Sequence, residues 1–321
     1  MRNGRITWID RMKVIGMYFI IAGHLFPVGY KYIYAFSVSL FFLISGFLHK
    51  QESSHLVFWK KILFNYVIPV FCIRTIMYFW ERLIYTGSDI FLNLFEYWTF
   101  MLKGYQNCIG ACWFIYTLIL IRILFQYLPY TKAHFLLFIL FTCTAIYLNK
   151  QNIHRNNAIL NLTVAYQPYA IGYLIKRFKS QFDAYQPSLL TIVISLIISI
   201  SLLFLCGKYN GNVWLYNNDY GCSIFLYIIS TLCGASFVFH LSKINKIYNK
   251  NIILTLSIGN IVTLGFHQIF INLIRIYLPS LPYLSYLLAV LILLSFYPIT
   301  RLCQVYCPFV LGNFHSSKEK K

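Results

Sequence analysis

Long apolar runs recur from one end of this sequence to the other, and they constrain its fold more than any other feature. We identify ten, at residues 12–29, 32–48, 58–80, 112–128, 134–148, 158–175, 188–205, 221–240, 252–274 and 281–299. Only 11% of the residues are charged, whereas a soluble chain carries about a quarter. Such runs are typical of membrane helices. The sequence therefore predicts an all-α, polytopic membrane protein with about ten transmembrane helices, forming one domain over residues 1–321.

Basic residues lie in short groups between the apolar runs and give the chain a net charge of +19. If the N-terminus lies in the cytoplasm and every run crosses the membrane, most of the 27 lysines and arginines fall in inner segments. Cytoplasmic loops carry this bias. The pattern therefore predicts that both termini are cytoplasmic and that the protein contacts anionic membrane lipids, and it argues against nucleic-acid binding.

The nine cysteines are scattered without Cys-x-x-Cys pairs or histidines at metal-ligand spacing, so we expect no metal site. Four cysteines would lie near the outer face, where disulfide bonds can form, and the sequence does not decide whether they pair: Cys108, Cys112, Cys206 and Cys222.

Ionisable side chains inside apolar runs are costly and mark functional positions. In the first run Lys13 and His24 are separated by almost three helical turns, which puts both on one face, roughly 16 Å apart along the axis. His24 would then lie deep in the membrane, where a neutral imidazole can accept a proton from a hydroxyl group. The alternative is a histidine that is only hydrogen-bonded between helices.

Other ionisable residues lie within later runs. His267 has a depth similar to that of His24, so the two histidines could face one cavity. Arg74 lies in the outer part of the third run, where a guanidinium can stabilise an oxyanion, hold an acidic sugar or reach the outer headgroups. Arg122 and His240 are better explained as residues near the inner face.

Several motifs resemble those of a known family. The run WIDRMKVIGMYFIIAGH, residues 8–24, resembles the opening of membrane acyltransferase family 3, particularly its branch similar to fucose 4-O-acetylases. That opening spaces an aspartate, a basic residue and a histidine as Asp10, Lys13 and His24 are spaced here. The run FSVSLFFLISGF, residues 36–47, is similar to the family's second helix. Weaker matches follow: NYVIP at 65–69, Trp113-Phe114 at the start of the fourth run and SIGNIVTLGFHQ at 257–268.

The chain departs from the family pattern at two places. Ser37 and Ser39 stand where the family's second helix often carries a histidine and a proline, which leaves open any polar role of that helix in holding an acceptor. Lys13 stands where the wider family more often has arginine, so a bidentate phosphate contact would become a single-point contact.

The resemblance implies transfer of an acyl group, usually acetyl, from cytoplasmic acyl-CoA to a hydroxyl group of a surface polysaccharide or a lipid-linked sugar. It also implies a bacterial cytoplasmic (inner) membrane as the location. On this reading Lys13, helped by Arg11, holds the CoA phosphates of the donor, acetyl-CoA. His24 activates the acceptor hydroxyl or relays the acyl group.

The resemblance gives three further expectations about residues. Asp10 would orient Lys13 or cap the start of the first helix. His267 would belong to the catalytic group. Arg74 and Trp113 would contact the acceptor.

The main alternative is a transporter, such as a flippase of sugar-lipid intermediates, in which His24, Arg74 and His267 line a translocation path. Transporters commonly carry repeated halves, and this sequence shows no internal repeat. A polysaccharide polymerase is a third reading, but it would need a large outer loop, which the pattern of runs does not contain. We therefore favour the acyltransferase.

Overall fold

The structure of the protein is a computed structural model that describes residues 6–84, 93–103, 106–128, 130–155, 157–244, 249–277 and 282–312. These residues are helical and contain no strand beyond a single β-bridge between Trp214 and Asp219. The α-helices are α1 Thr7–His24, α2 Tyr30–Tyr34, α3 Ser37–Phe47, α4 His55–Ile62, α5 Ile68–Ile84, α6 Leu94–Leu102, α7 Gln106–Ile109, α8 Trp113–Tyr127, α9 Thr131–Lys150, α10 Ala158–Ile175, α11 Lys179–Ala184, α12 Leu189–Asn210, α13 Ile224–Ser242, α14 Lys250–Ile258, α15 Asn260–Tyr277 and α16 Ser285–Tyr306.

Shorter helical turns connect some of these helices. A π-helical turn, Leu63–Val67, joins α4 to α5. It lies immediately before Pro69, whose missing N–H group interrupts the regular hydrogen-bond ladder. The 3-10 turns are Gly110–Cys112, Lys176–Phe178, Leu215–Asn217 and Pro308–Leu311.

Seven helices in the described part of the chain are long and apolar enough to cross a membrane, and an eighth span is added if α14 and α15 count as one. The protein is therefore all-helical and multi-pass. Helix α1 is not among the seven, and it carries three charged residues, Asp10, Arg11 and Lys13. Helix α10 is not among them either, and it buries the polar side chains of Asn161 and Gln167. The count of ten spans and the cytoplasmic position of the termini stay predictions.

Helix α1 differs from its predicted range of 12–29. It begins at Thr7 and ends at His24, which is therefore its last residue and not a residue deep within the run. The chain leaves the helix because Phe26 adopts a left-handed backbone conformation, with φ of 48°, and Pro27 follows. The first-helix face shared by Lys13 and His24 is confirmed, since both residues lie on this one helix.

The ninth run, predicted as one helix over 252–274, is also different. It is broken at Gly259 into α14 and α15, whose axes differ by 83°. A side chain at Gly259 would clash, because an added Cβ atom would lie 2.0 Å from Thr300 Oγ1 of α16. The glycine thus allows α16 to pack against the break, and the apolar pattern alone carries no sign of the bend.

Helices α3 and α10 cross in close contact at the centre of the bundle. An added Cβ atom at Gly46 would lie 2.0 Å from Tyr169 O, and one at Gly172 would lie 2.0 Å from Leu43 O. Two glycines facing opposite backbones let the helices approach as small residues do in membrane proteins. Gly46 belongs to the Ser-Gly-Phe sequence at the end of the second apolar run.

Helix α1 lies between the two hydrophobic cores of the bundle. Trp8, Ile9 and Met12 pack into one core, and Met17 and Ile20 pack into the other. The whole length of α1 is thereby fixed by packing, which holds the candidate residues on it in place.

Helix α16 runs antiparallel to α1. Ser285 Oγ at the start of α16 donates to Leu25 O just after α1, at 3.2 Å, and Tyr286 OH donates to Val28 O at 2.8 Å. We name the two ends of the bundle after residues of α1, the Trp8 end and the His24 end. Helix α1 begins and α16 finishes at the Trp8 end.

Candidate active site

Two histidines from separate helices, His267 buried and His24 half-buried, meet at the His24 end. The ring centroids of His24 and His267 are 5.1 Å apart. His267, on α15, has no solvent exposure. Its Nδ1 lies 3.0 Å from Thr263 O and 2.9 Å from Leu264 O. Two carbonyl acceptors at Nδ1 require a hydrogen there, so the neutral ring keeps a lone pair on Nε2.

His24 has its own partner, Tyr34, at the end of α2. The tyrosine OH group lies 3.2 Å from His24 Nδ1, and the two rings meet edge to face with centroids 5.9 Å apart. Arg275 Nη2 donates to His24 O at 2.8 Å, which satisfies a carbonyl at the C-terminus of α1. The backbone and the imidazole of His24 are thus fixed by different helices.

A cavity of about 230 Å³ opens beside His24. Its walls are mostly apolar, and the polar side chains of His24 and Gln268 face it. The lining residues are Met17, Ile20, His24, Val38, Phe41, Gly110, Ala111, Trp113, Phe114, Tyr216, Leu264 and Gln268. Gln268 Nε2 lies 3.4 Å from His267 Nε2. Gln268 therefore links His267, which does not line the cavity itself, to the cavity wall.

The cavity follows the face of α1 that carries Lys13. Met17, Ile20 and His24 line it at helical spacing, and Lys13 lies one turn before Met17 on the same stripe. Lys13 is half-buried and does not line the cavity itself. This stripe of α1 therefore carries both the cation of Lys13 and the imidazole of His24.

Asp10 and Arg11 lie near the Trp8 end. Asp10 is 6% exposed and accepts a hydrogen bond of 2.6 Å from Ser257 Oγ, next to the break between α14 and α15. It does not cap α1, because the N-cap residue is Ile6 and no side chain caps it. Arg11 Nη1 donates to Ser242 O at 2.9 Å, at the C-terminus of α13, where a cation is favourable.

Arg74 and Trp113 are placed differently with respect to the cavity. Trp113 lines it at the start of α8, whereas Arg74 does not. Arg74 is 3% exposed, its Nε donates to Cys108 O at 2.7 Å, and its Nη2 lies 3.4 Å from Glu81 Oε1. The suggestion that Arg74 reaches the outer headgroups is therefore wrong.

Arg74 instead supports the cavity wall from behind. An added Cβ atom at Gly110, which lines the cavity, would lie 2.9 Å from Arg74 Nη1. Gly110 has φ of 47°, a left-handed conformation that favours glycine. The guanidinium thus holds the turn that leads into Trp113.

A second cavity, of about 640 Å³, lies at the Trp8 end between α1, α3, α11 and α13. Aromatic rings form much of its wall, among them Trp8, Phe182 and Phe239. Lys243 Nζ lies 5.4 Å from the ring centroid of Trp8 and 5.3 Å from that of Phe239. Burial lowers the pKa of Lys243, and the Asp183 carboxylate opposes this shift.

The remaining polar residues predicted within runs have structural partners. His240 lines the second cavity, and its Nδ1 lies 2.8 Å from Ser236 O. Arg122 Nη1 donates to Tyr66 OH at 3.0 Å, within the bundle. All nine cysteines are free.

Sequence reasoning brought His24, His267 and Trp113 forward as candidates, and the structure brings these three together. It leaves Asp10, Arg11 and Lys13 towards the other end of α1 and Arg74 behind the cavity wall. It adds residues that the sequence reasoning missed, namely Tyr34, Trp214, Tyr216 and Gln268. Gln268 follows His267 directly, and this pairing of two polar residues inside an apolar run was the available signal.

The chemistry that the two imidazoles offer at this site is proton transfer. In the described residues, no group of three or more His, Cys, Asp or Glu side chains is close enough to hold a metal ion. Two imidazoles beside an apolar cavity can accept a proton from a hydroxyl group and return it to a leaving group.

Comparison with known proteins identifies the family. No curated protein and no solved structure matches the chain. The model of acyltransferase family 3, described as an acyltransferase domain, matches residues 6–302, which is nearly the whole chain. With its apolar helices and its pair of histidines, the chain therefore belongs to acyltransferase family 3 and is a multi-pass membrane acyltransferase.

Proposed function

We propose that this protein transfers an acetyl group from cytoplasmic acetyl-CoA to a hydroxyl group of a surface polysaccharide or a lipid-linked sugar, within the branch similar to fucose 4-O-acetylases. We place it in the cytoplasmic (inner) membrane of a bacterium. The observation that carries the proposal is the His24–His267 pair, of which His24 lines a cavity on the face of α1 that also carries Lys13. Membership of an acyltransferase family favours this enzyme over a flippase.

The donor would enter from the Trp8 end. Lys13 and Arg11 offer cations for the CoA phosphates, and Lys243 adds a third beside the aromatic cavity. Lys13 lies roughly 16 Å along the axis from His24, a distance that an extended pantetheine arm covers. The thioester then reaches the cavity that His24 faces.

The acceptor hydroxyl would react at the His24 end. For His24 to take the proton at Nε2, its Nδ1 must carry a hydrogen and donate it to the Tyr34 oxygen. The hydroxyl oxygen attacks the thioester carbonyl carbon as its proton passes to His24. The C–S bond then breaks, and the CoA thiolate takes up that proton to leave as the thiol.

His267 would support this step through Gln268. Its Nδ1 hydrogen is fixed by two backbone carbonyls, so its Nε2 is an acceptor, and Gln268 Nε2 lies 3.4 Å from it. His267 can therefore hold the Gln268 amide, which lines the cavity, in position for the acceptor hydroxyl.

The test is transfer of radiolabelled acetyl from acetyl-CoA in membranes that contain the protein. We expect label in a polysaccharide or lipid-linked sugar fraction, and a loss of roughly a hundredfold or more in His24→Ala. His154→Ala, which removes an exposed histidine, is the matched control and keeps full transfer. Full transfer in correctly inserted His24→Ala protein would contradict the role of His24.

The donor side is tested in the same assay. We expect Lys13→Ala to raise the KM for acetyl-CoA, because it removes a phosphate contact, and Lys13→Arg to keep the donor affinity. If Lys13→Ala leaves this KM unchanged, the CoA phosphates bind elsewhere.

A further inference from the structure

The loop between α12 and α13, residues 211–223, brings aromatic rings to the cavity beside His24. Tyr216 lines that cavity, and its ring centroid lies 6.1 Å from that of Trp113. Trp214, in the same loop, has its ring centroid 4.9 Å from that of Tyr34. Tyr34 in turn contacts His24. The loop thus adds its own rings to the site of the histidine pair.

The rings of Tyr34 and Trp214 form a partly open wall. Their planes are tilted by 38°, and Phe26 extends the wall with its centroid 6.3 Å from that of Trp214. Tyr34 and Trp214 are half-buried and Phe26 is exposed, so ring surface remains accessible. Fully buried core rings would offer no such surface.

Hydrogen bonds hold the loop in one conformation. Trp214 and Asp219 pair through two backbone bonds of 2.9 and 3.2 Å. Asn218 adopts a left-handed conformation, with φ of 60°, and its Oδ1 accepts from Thr163 Oγ1 of α10 at 2.7 Å. Trp214 is therefore fixed to the bundle before any ligand arrives.

A second set of bonds anchors the far side of the loop. The buried Asn210 side chain donates to Tyr220 O at 2.7 Å and accepts from Ser223 N at 2.7 Å. Gly221 has φ of 85°, and an added Cβ atom there would lie 2.4 Å from Asn210 O. A loop with so many fixed polar contacts loses little further freedom on binding, which favours affinity.

We propose that the Tyr34–Trp214 wall binds the apolar face of a pyranose ring and so holds the acceptor sugar with a hydroxyl group beside His24. One face of a pyranose carries several C–H groups, which pack on aromatic rings, whereas its hydroxyl groups need polar partners at the edge. The Gln268 amide, which lines the cavity beside His24, supplies such a partner. This inference rests on the proposed transfer to a sugar, and it names the recognition element for the acceptor.

The binding test uses saturation-transfer NMR on the full-length protein in lipid nanodiscs. The probes are methyl glycosides of glucose, galactose, mannose, fucose and N-acetylglucosamine, with mannitol as the acyclic control. We expect saturation on ring C–H protons of at least one glycoside and none on mannitol. Absence of saturation for all five glycosides would overturn the proposal.

Variants assign the signal to the wall. Trp214→Leu removes the ring and should reduce the saturation roughly tenfold, while Trp214→Phe keeps a ring and should retain most of it. Trp59→Leu, which removes an exposed tryptophan outside the wall, should leave the saturation unchanged. Unchanged saturation in Trp214→Leu, or equal losses in Trp214→Phe and Trp214→Leu, would overturn the proposal.

Steady-state kinetics separate this inference from the proposed function. We expect Trp214→Leu to raise the KM for the acceptor roughly tenfold with little change in kcat, since the ring binds and does not react. Acetyl transfer with an unchanged acceptor KM in Trp214→Leu would overturn the wall and leave the proposed function standing. Binding of glycosides that depends on Trp214, without transfer from any acyl-CoA, would overturn the proposed function and leave the wall standing.

Discussion

At the residue scale, the hydrogen bond between Tyr34 and His24 decides which nitrogen of the histidine can accept a proton. His24 Nδ1 lies 3.2 Å from the tyrosine oxygen. A hydrogen on Nδ1 frees Nε2 to act as the base, whereas the opposite tautomer places the hydrogen on Nε2. In the proposed mechanism Tyr34 is thus a positioning residue for the general base, in addition to its place in the proposed aromatic wall.

We therefore predict a specific kinetic effect of Tyr34→Phe. The phenyl ring remains against Trp214, but His24 loses its partner, so kcat should fall about tenfold while the acceptor KM stays close to that of the wild type. The acetyl-transfer assay at several acceptor concentrations measures both constants. A rise in KM with unchanged kcat would show that the hydroxyl group of Tyr34 binds substrate and does not position His24.

His49, which follows α3, gives a prediction about pH. It is buried, and its Nδ1 lies 2.7 Å from Tyr169 OH. Burial, together with the charges of Arg122 and Lys176 and the neighbouring His134, lowers the pKa of His49 to about 3. The folded protein therefore keeps His49 neutral at a pH where the unfolded chain, with an ordinary pKa of 6.5, binds a proton.

The contribution of neutral His49 to the free energy of unfolding is largest above pH 6.5, and it is lost as the pH falls from there towards 3. Between pH 6.5 and pH 5 the loss amounts to roughly 2 kcal/mol. Thermal unfolding in detergent at pH 7 and pH 5 should show a smaller acid-induced drop in Tm for His49→Gln than for the wild type. His154→Gln, at an exposed site, should behave as the wild type. Equal drops in His49→Gln and wild type would contradict the assignment.

At the element scale, the crossing of α3 and α10 depends on two glycines. A Cβ atom at Gly46 would lie 2.0 Å from Tyr169 O, a backbone atom that cannot rotate away. We predict that Gly46→Ala forces the helices apart and destabilises the fold by about 3 kcal/mol, at the upper end for overpacking. The Tm in detergent measures this.

Gly23→Ala is the matched control for this substitution. Gly23 also lies in a helix, but its added Cβ atom would meet only side chains, those of Ile33 at 3.4 Å and Tyr34 at 3.6 Å, which are ordinary contacts. Its Tm should stay within a few degrees of the wild type. A Tm for Gly46→Ala equal to that of Gly23→Ala would show that the crossing tolerates separation.

The sequence predicted the helices better than their ends. Apolar runs located each long helix, because contact with lipid and burial in the core both require apolar residues. The pattern of apolar residues does not show at which residue the helix ends. Thus 12–29 became Thr7–His24, since Phe26 and Pro27 end a helix whose charged first turn lies outside the apolar run. The break at Gly259 depends on Thr300, a contact across 41 positions of the chain that no local pattern records.

The candidate site could be predicted only in part, for a similar reason. His24 and His267 stand out because each is an ionisable residue in an apolar run. Trp214 and Tyr216 lie in a polar connection and are two of many aromatic residues in a chain with 27 tyrosines and 29 phenylalanines. Only the fold of the 211–223 loop distinguishes them.

At the scale of the whole molecule, the two ends of the bundle have different chemistry. The Trp8 end carries Arg11, Lys176 and Lys243 beside an aromatic cavity. The His24 end carries the histidine pair and the aromatic loop. If the donor and the acceptor approach from opposite sides of the membrane, as proposed, each has a cavity at its own end of the bundle.

The orientation of the bundle gives the last prediction. If the Trp8 end faces the cytoplasm, as the distribution of basic residues predicts, then the loop with Trp214 faces outward. Its exposed Cys222 should react with a membrane-impermeant maleimide in intact cells, and Cys222→Ser should abolish that label. A cysteine introduced by Ser53→Cys into the Cys222→Ser protein, in the exposed connection between α3 and α4 at the Trp8 end, should react only after the cells are permeabilised. The opposite pattern would be labelling of the Ser53→Cys variant in intact cells and protection of Cys222. It would mean that the His24 end faces the cytoplasm, on the donor side. The direction of transfer proposed from the positions of Lys13 and His24 would then be wrong.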